Sequence, residues 1–183
     1  RVPIDCDFRK NCWVINYFDH DPSGEIVDFT GGTNLYNGHQ GIDFAIPNMT
    51  AMLKGVPVVA AAGGKVVAIR DHIPDIGSVT RDGKRIDFPM CGNAVLIEHG
   101  NDYRTQYCHL RRGSISVAAG DTVEAGHQIG LVGLSGFTNF PHVHLAVSRG
   151  KEKVDPFTGP GWKPGSGMPL RPMWTDEARE KLA

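Results

Sequence analysis

No stretch of this 183-residue chain is apolar for the roughly 20 residues a helix needs to cross a bilayer; even residues 56–62 stop at Gly63-Gly64. An excess of one charge is also lacking. The 19 basic and 20 acidic side chains leave a formal net charge of -1, so the positive field of a nucleic-acid binder is missing. Cys-x-x-Cys spacing does not occur, which excludes the common thiolate zinc site and the dithiol redox motif. His-Glu-x-x-His is absent too, and with it the helix-borne glutamate base of one large class of zinc proteases. Finally, no long segment carries helical periodicity, so helix is expected only in short pieces.

What is present begins with four cysteines, Cys6, Cys12, Cys91 and Cys108, an even count that reads as disulfides, with four free thiols in a cytosolic protein as the alternative. Cys91 and Cys108 flank a predicted hairpin turning at His99-Gly100-Asn101-Asp102, which brings them together across neighbouring strands. Cys6 and Cys12 are then left to close a small N-terminal loop. Two disulfides imply an oxidising compartment, so a periplasmic or secreted protein is expected. The chain starts at Arg1 with neither an initiator Met nor an apolar leader, as expected of a processed protein or a fragment.

Three regions differ in composition. Residues 1–38 are rich in Asp, Gly and Asn and read as an irregular extension with one strand near 12–18, packed on the core. Residues 39–156 hold short β-branched runs punctuated by Gly and Asp, the pattern of an all-β domain. Strands are predicted at 41–45, 56–61, 64–71, 93–99, 103–110, 128–132 and 142–148, with one helical turn at 48–52. Residues 157–183 form a Pro- and Gly-rich tail that ends in a short helix capped by Thr175. The polar stretch 73–89 contains Asp82-Gly83, which predicts a protruding hairpin, and its basic tip Arg81, Lys84, Arg85 is read as solvated. Residues 56–67 and 117–130 both alternate β-branched residues with glycine turns, as compact barrel-sandwich domains do. Biotinyl and lipoyl carriers look alike at this level, so the likeness indicates a fold and no function.

The chemistry is carried by three segments: His39-Gln40-Gly41-Ile42-Asp43, Tyr107-Cys108-His109-Leu110 and Pro141-His142-Val143-His144-Leu145. On a strand, alternation turns His142 and His144 to one side, and His39 shares a face with Asp43. By the same rule Cys108 and His109 point to opposite faces of their strand. Two imidazoles and one carboxylate make a three-ligand zinc site with an open position for water, as a hydrolytic centre requires.

The order His-x-x-x-Asp, Tyr-x-His-Leu, His-x-His resembles that of the lysostaphin-like zinc peptidoglycan endopeptidases, over roughly residues 39–156. The resemblance implies an all-β fold with a two-sheet barrel-sandwich (duplicated hybrid motif) core. It implies one Zn²⁺ held by His39, Asp43 and His144, with His109 and His142 as catalytic histidines whose separate duties stay open. It also implies a substrate: peptide cross-links of peptidoglycan, either D-Ala to diaminopimelate or glycine-rich bridges. One departure is the insertion Phe137-Thr138-Asn139-Phe140 before Pro141, expected to shape the cleft. In latent relatives an asparagine from an N-terminal arm takes the open metal position. Asn34 and Asn37 are the candidates here, with water the expected occupant.

Three other functions compete: a non-catalytic wall-binding or amidase-activating module, a general secreted metalloprotease, and a carrier or phosphotransfer domain. The intact five-residue set argues against the first and third. A monomer is expected. His20, His72, His99 and His127 read as surface residues, and Trp13, Trp162 and Trp174 as apolar anchors of the two extensions.

Overall fold

The computed structural model describes residues 1–78, 84 and 87–182, and the tip of the expected 73–89 hairpin lies outside them. The described chain is mostly β. Its elements are β1 (Trp13–Asn16), β2 (Ile42–Ala45), α1 (Met49–Lys54), β3 (Pro57–Val59), β4 (Gly64–Arg70), β5 (Asn93–Glu98), β6 (Tyr103–Leu110), β7 (Thr122–Val123), β8 (Gln128–Leu131), β9 (His142–Arg149), β10 (Glu152–Val154) and α2 (Asp176–Leu182). Every expected strand is present within a residue or two at each end. β7 and β10 were not anticipated, because two or three residues are too few to display a period.

One eight-stranded antiparallel sheet runs β1-β2-β9-β6-β5-β4-β7, with β10 paired to the C-terminal end of β9, and a second sheet pairs β3 with β8. The sheets share one core. Val58 and Ile129 of the small sheet belong to the same buried cluster as Ile42, Phe44, Val95, Ile97, Tyr107, Leu110, Val143 and Leu145 of the large one. Tyr107 spans the two layers: its ring is fully buried and its hydroxyl accepts a 2.8 Å hydrogen bond from the Ala61 amide.

Helices are peripheral and locally coded. Asn48 caps α1 through Oδ1, which accepts from the Ala51 amide at 3.0 Å, and Gly55 ends it with positive φ. Thr175 Oγ1 accepts from Ala178 N at the start of α2. Among the described residues no helix is long and apolar enough to cross a membrane.

Both disulfides join the expected partners, Cys6 with Cys12 and Cys91 with Cys108. Other expectations fail. His20 is not a surface residue: its side chain is 7% exposed and its Nε2 lies 2.8 Å from Asp155 Oδ2. His99 is likewise engaged, by the Gly63 carbonyl and Thr105 Oγ1, each at 2.7 Å. Turn-like sequence says where the backbone bends and nothing about what later packs over it. Of the three tryptophans, Trp174 is buried against Phe44 and Phe157, Trp162 sets its edge on His20, and Trp13 lies exposed on β1.

Candidate metal centre and cleft

The site forms where β2, β9 and β6 run side by side. The register pairs Asp43 with His144, Ala45 with His142, and Cys108 with His144, so these side chains share one face of the sheet. His39 enters from the preceding loop, where its carbonyl accepts from the Asp19 amide. Gly41 lets this loop lie against β9: a Cβ there would overlap the His144 imidazole.

Three ligand-type atoms converge. Asp43 Oδ1 lies 2.8 Å from His144 Nδ1 and 3.2 Å from His39 Nε2, and those two nitrogens are 3.1 Å apart. Bonds of about 2.0–2.2 Å in tetrahedral array put neighbouring ligand atoms roughly 3.3 Å from each other, close to this spacing. The protonation pattern agrees. His39 Nδ1 donates a 2.6 Å hydrogen bond to the Tyr17 carbonyl, which leaves a lone pair on Nε2 facing the Asp43 oxygen. Lone pair against carboxylate is repulsive until a cation or a second proton sits between them. His39, Asp43 and His144 therefore suit a metal ion in spacing, donor type and orientation. Burial alone would raise the Asp43 carboxyl, yet the close imidazoles of His144, His39 and His142 hold it well below the ordinary carboxylate range.

Two more imidazoles flank this cluster. His109 donates from Nδ1 to the Ser135 carbonyl at 2.8 Å, and His142 donates from Nδ1 to the Phe140 carbonyl at 3.0 Å. Each ring is thereby turned so that Nε2 is its acceptor, that of His142 lying 3.6 Å from Asp43 Oδ1, with the ring centroids 4.6 Å apart. Burial, and then the charge of His142, pushes His109 down to about 3; burial also lowers His142. Both are neutral bases near pH 7. Phe140 stacks on His142, and Thr138 Oγ1 approaches its Nδ1 at 3.2 Å, so the inserted loop that precedes β9 holds this ring as well as lining the cleft.

His109 reaches the cleft by a route that strand alternation does not describe. Between the pairs Asn93–Leu110 and Val95–Tyr107, β5 contributes one residue and β6 two, which is a β-bulge, and His109 occupies the left-handed region at φ 62°. His109 is thus the residue that leaves the alternation, and Cys108, paired in register with His144, does not face away as expected. It lies on the His144 side, and Cys108 and His109 both line the cleft. The bulge spends one residue to present two neighbours to the same side, then returns Leu110 to the core.

The cleft is open, with a volume of about 630 Å³, and its wall includes Tyr36, Gln40, Met90, Gln106, Phe137 and Lys153. Tyr36 carried no sequence signal. Its ring lies 4.5 Å from that of His39, and burial together with the Asp43 charge raises its hydroxyl to about 12, which keeps it a donor. Asn16, on β1, is a second unforeseen member; the bulge that brings it here has no sequence mark. The Asn37 amide is spent on the Gly24 carbonyl at 2.9 Å.

Residues 37–156 match the model of peptidase family M23. Peptidoglycan DD-endopeptidase ShyB of Vibrio cholerae is 34% identical over 159 residues, 85% of this chain and 29% of that protein. Peptidoglycan DD-endopeptidase ShyA of the same organism is 38% identical over 109 residues, 60% of this chain and 20% of that protein. The chain thus spans less than a third of the length of these relatives. Among solved structures, a zinc-containing peptidase from Vibrio cholerae superposes with a TM-score of 0.56 at 29% identity, covering 84% of this chain and 37% of that one. A mutant catalytic domain of the prophage-encoded M23 protein EnpA from Enterococcus faecalis gives 0.56 at 25% identity, covering 85% and 96%. With the ordered motifs, the antiparallel β fold and the convergent His-Asp-His group in agreement, the chain belongs to peptidase family M23.

Proposed function

We propose that this domain is a zinc endopeptidase that hydrolyses peptide cross-links of bacterial peptidoglycan outside the cytoplasm. His39, Asp43 and His144 hold the metal, and His109 and His142 are the catalytic residues. The observation that carries this is the convergence of His39 Nε2, Asp43 Oδ1 and His144 Nδ1 beside two buried imidazoles held through Nδ1, in the lining of an open cleft.

Zinc held there would supply Lewis-acid polarisation of the scissile carbonyl and bring the pKa of water down to about 7. The remaining steps fall to the chain itself. A neutral His109 or His142 takes the proton from the attacking water at Nε2, and the resulting imidazolium returns it to the departing amine. The carbonyls of Ser135 and Phe140 hold each ring through Nδ1, so the proton moves at one defined nitrogen. The Tyr36 hydroxyl, protonated at neutral pH, is a donor for charge that develops on the carbonyl oxygen. The cleft is open to solvent, as entry of a peptide requires.

The D-Ala to diaminopimelate bond is favoured over a glycine bridge because ShyB and ShyA are named DD-endopeptidases. The two disulfides support an extracytoplasmic location. The test is zinc content and release of muropeptides from purified sacculi, for the parent and His144→Ala, with casein in parallel. One zinc per chain and sacculus cleavage, both lost in His144→Ala, are expected. Cleavage of casein alone would remove the peptidoglycan assignment, and no zinc with no cleavage would point to a binding module.

A further inference from the structure

The two oxygens of Asp43 have different surroundings. Oδ1 faces His144 and His39, whereas Oδ2 accepts a 2.8 Å hydrogen bond from Asn16 Nδ2. A carboxylate only accepts, so the nitrogen of the Asn16 amide must be the atom turned toward it.

Asn16 arrives there through a second bulge. β1 pairs Val14 with Phe44 and Asn16 with Asp43, so Ile15 is the extra residue. Strict alternation would put Asn16 on the side of Val14, which packs against the core. The bulge turns it to the cleft instead, directly across from Asp43. The next residue, Tyr17, accepts from His39 Nδ1 through its carbonyl. Two of the three metal-binding side chains are thus gripped from behind by consecutive residues of the N-terminal extension, which lies outside the family match at 37–156.

We propose that Asn16 is a positioning residue of the metal centre, fixing the Asp43 carboxylate so that Oδ1 alone is presented to the ion; this rests on the reading of His39, Asp43 and His144 as ligands. The torsion that turns a carboxylate plane is soft and two-fold, so an unrestrained Asp43 would swap its oxygens or swing both toward the metal. Asp43 is almost wholly buried, so in the intact chain Oδ2 takes the Asn16 amide in place of bulk water. The amide fills that role, as outer partners of metal-binding carboxylates and imidazoles generally do. The N-terminal strand is then a working part of the centre as well as an edge of the sheet.

The experiment is a zinc titration of the metal-stripped full chain against a competing chelator, for the parent, Asn16→Ala, Asn16→Leu and Asn16→Gln, beside the thermal midpoint of each metal-free protein. Loss of the donor in Asn16→Ala and Asn16→Leu is expected to weaken zinc binding about 10- to 100-fold, the usual effect of removing an outer partner. Asn16→Gln, which keeps an amide, should recover part of the loss, and the metal-free midpoints should stay near that of the parent. Zinc affinity within about twofold of the parent in both folded variants would overturn the proposal, since outer partners carry at least tenfold. So would loss of fold in both, which would assign Asn16 to folding. A parent that takes up no zinc would instead sink the metal reading, and this inference with it.

Discussion

The two faces of β2, β9 and β6 are made by the same backbone and do opposite work. On one side Ile42, Phe44, Tyr107, Val143 and Leu145 are fully buried among apolar neighbours. On the other, Asp43, Cys108, His142 and His144 alternate with them and line the cleft. A step of one residue along the strand is all that separates the core from a group able to bind a metal. A chain that must hold charged groups at fixed distances gains rigidity by placing them one residue from its best-packed atoms.

The comparison can be broken by changing one face at a time. His109→Ala and His142→Ala touch the cleft side only, and loss of a general acid or base is expected to lower kcat on sacculi about 10²- to 10⁴-fold. Zinc content should remain near one per chain in both, and its loss would mean that the residue changed is a ligand. Leu145→Ala lies between His144 and Ala146 and belongs wholly to the core. A denaturant melt should show roughly 2–5 kcal/mol less stability, while the folded fraction keeps its kcat. A fall in kcat at full folding would mean that the two faces are not separable. Gly41→Ala sits at the border, where a new Cβ meets the His144 ring. Overpacking of this kind costs about 1–3 kcal/mol, and because the atoms met are the His144 ring and the Leu145 carbonyl, a fall in zinc retention is expected together with a lower melting temperature.

Legibility differed between the faces for a physical reason. The core strands were readable because apolar alternation repeats over several residues, and His142 and His144 because His-x-His is the same alternation written in polar residues. His39 and Asp43 were readable through their motif. The geometry around His109 was not: alternation put Cys108 and His109 on opposite faces, and the β-bulge with a left-handed residue at His109 brings both to the cleft. Asn16 was hidden for the same reason, since the extra Ile15 exchanges its face with no change in composition. His20 and Tyr36 were missed because their surroundings are supplied by chain distant from them or by a loop with no period, as with Asp155 against His20.

By itself the sequence determined the all-β class, the strand positions, both disulfide pairings and the set of residues able to bind a metal, because each rests on local spacing or residue chemistry. Only the tertiary structure decided which side chains meet. The two bulges, the loop that turns His142 through the Phe140 carbonyl, and the N-terminal strand behind Asp43 all depend on register between distant segments. Register is set by the packing of the whole sheet, and a one-residue change in it moves a side chain from core to cleft.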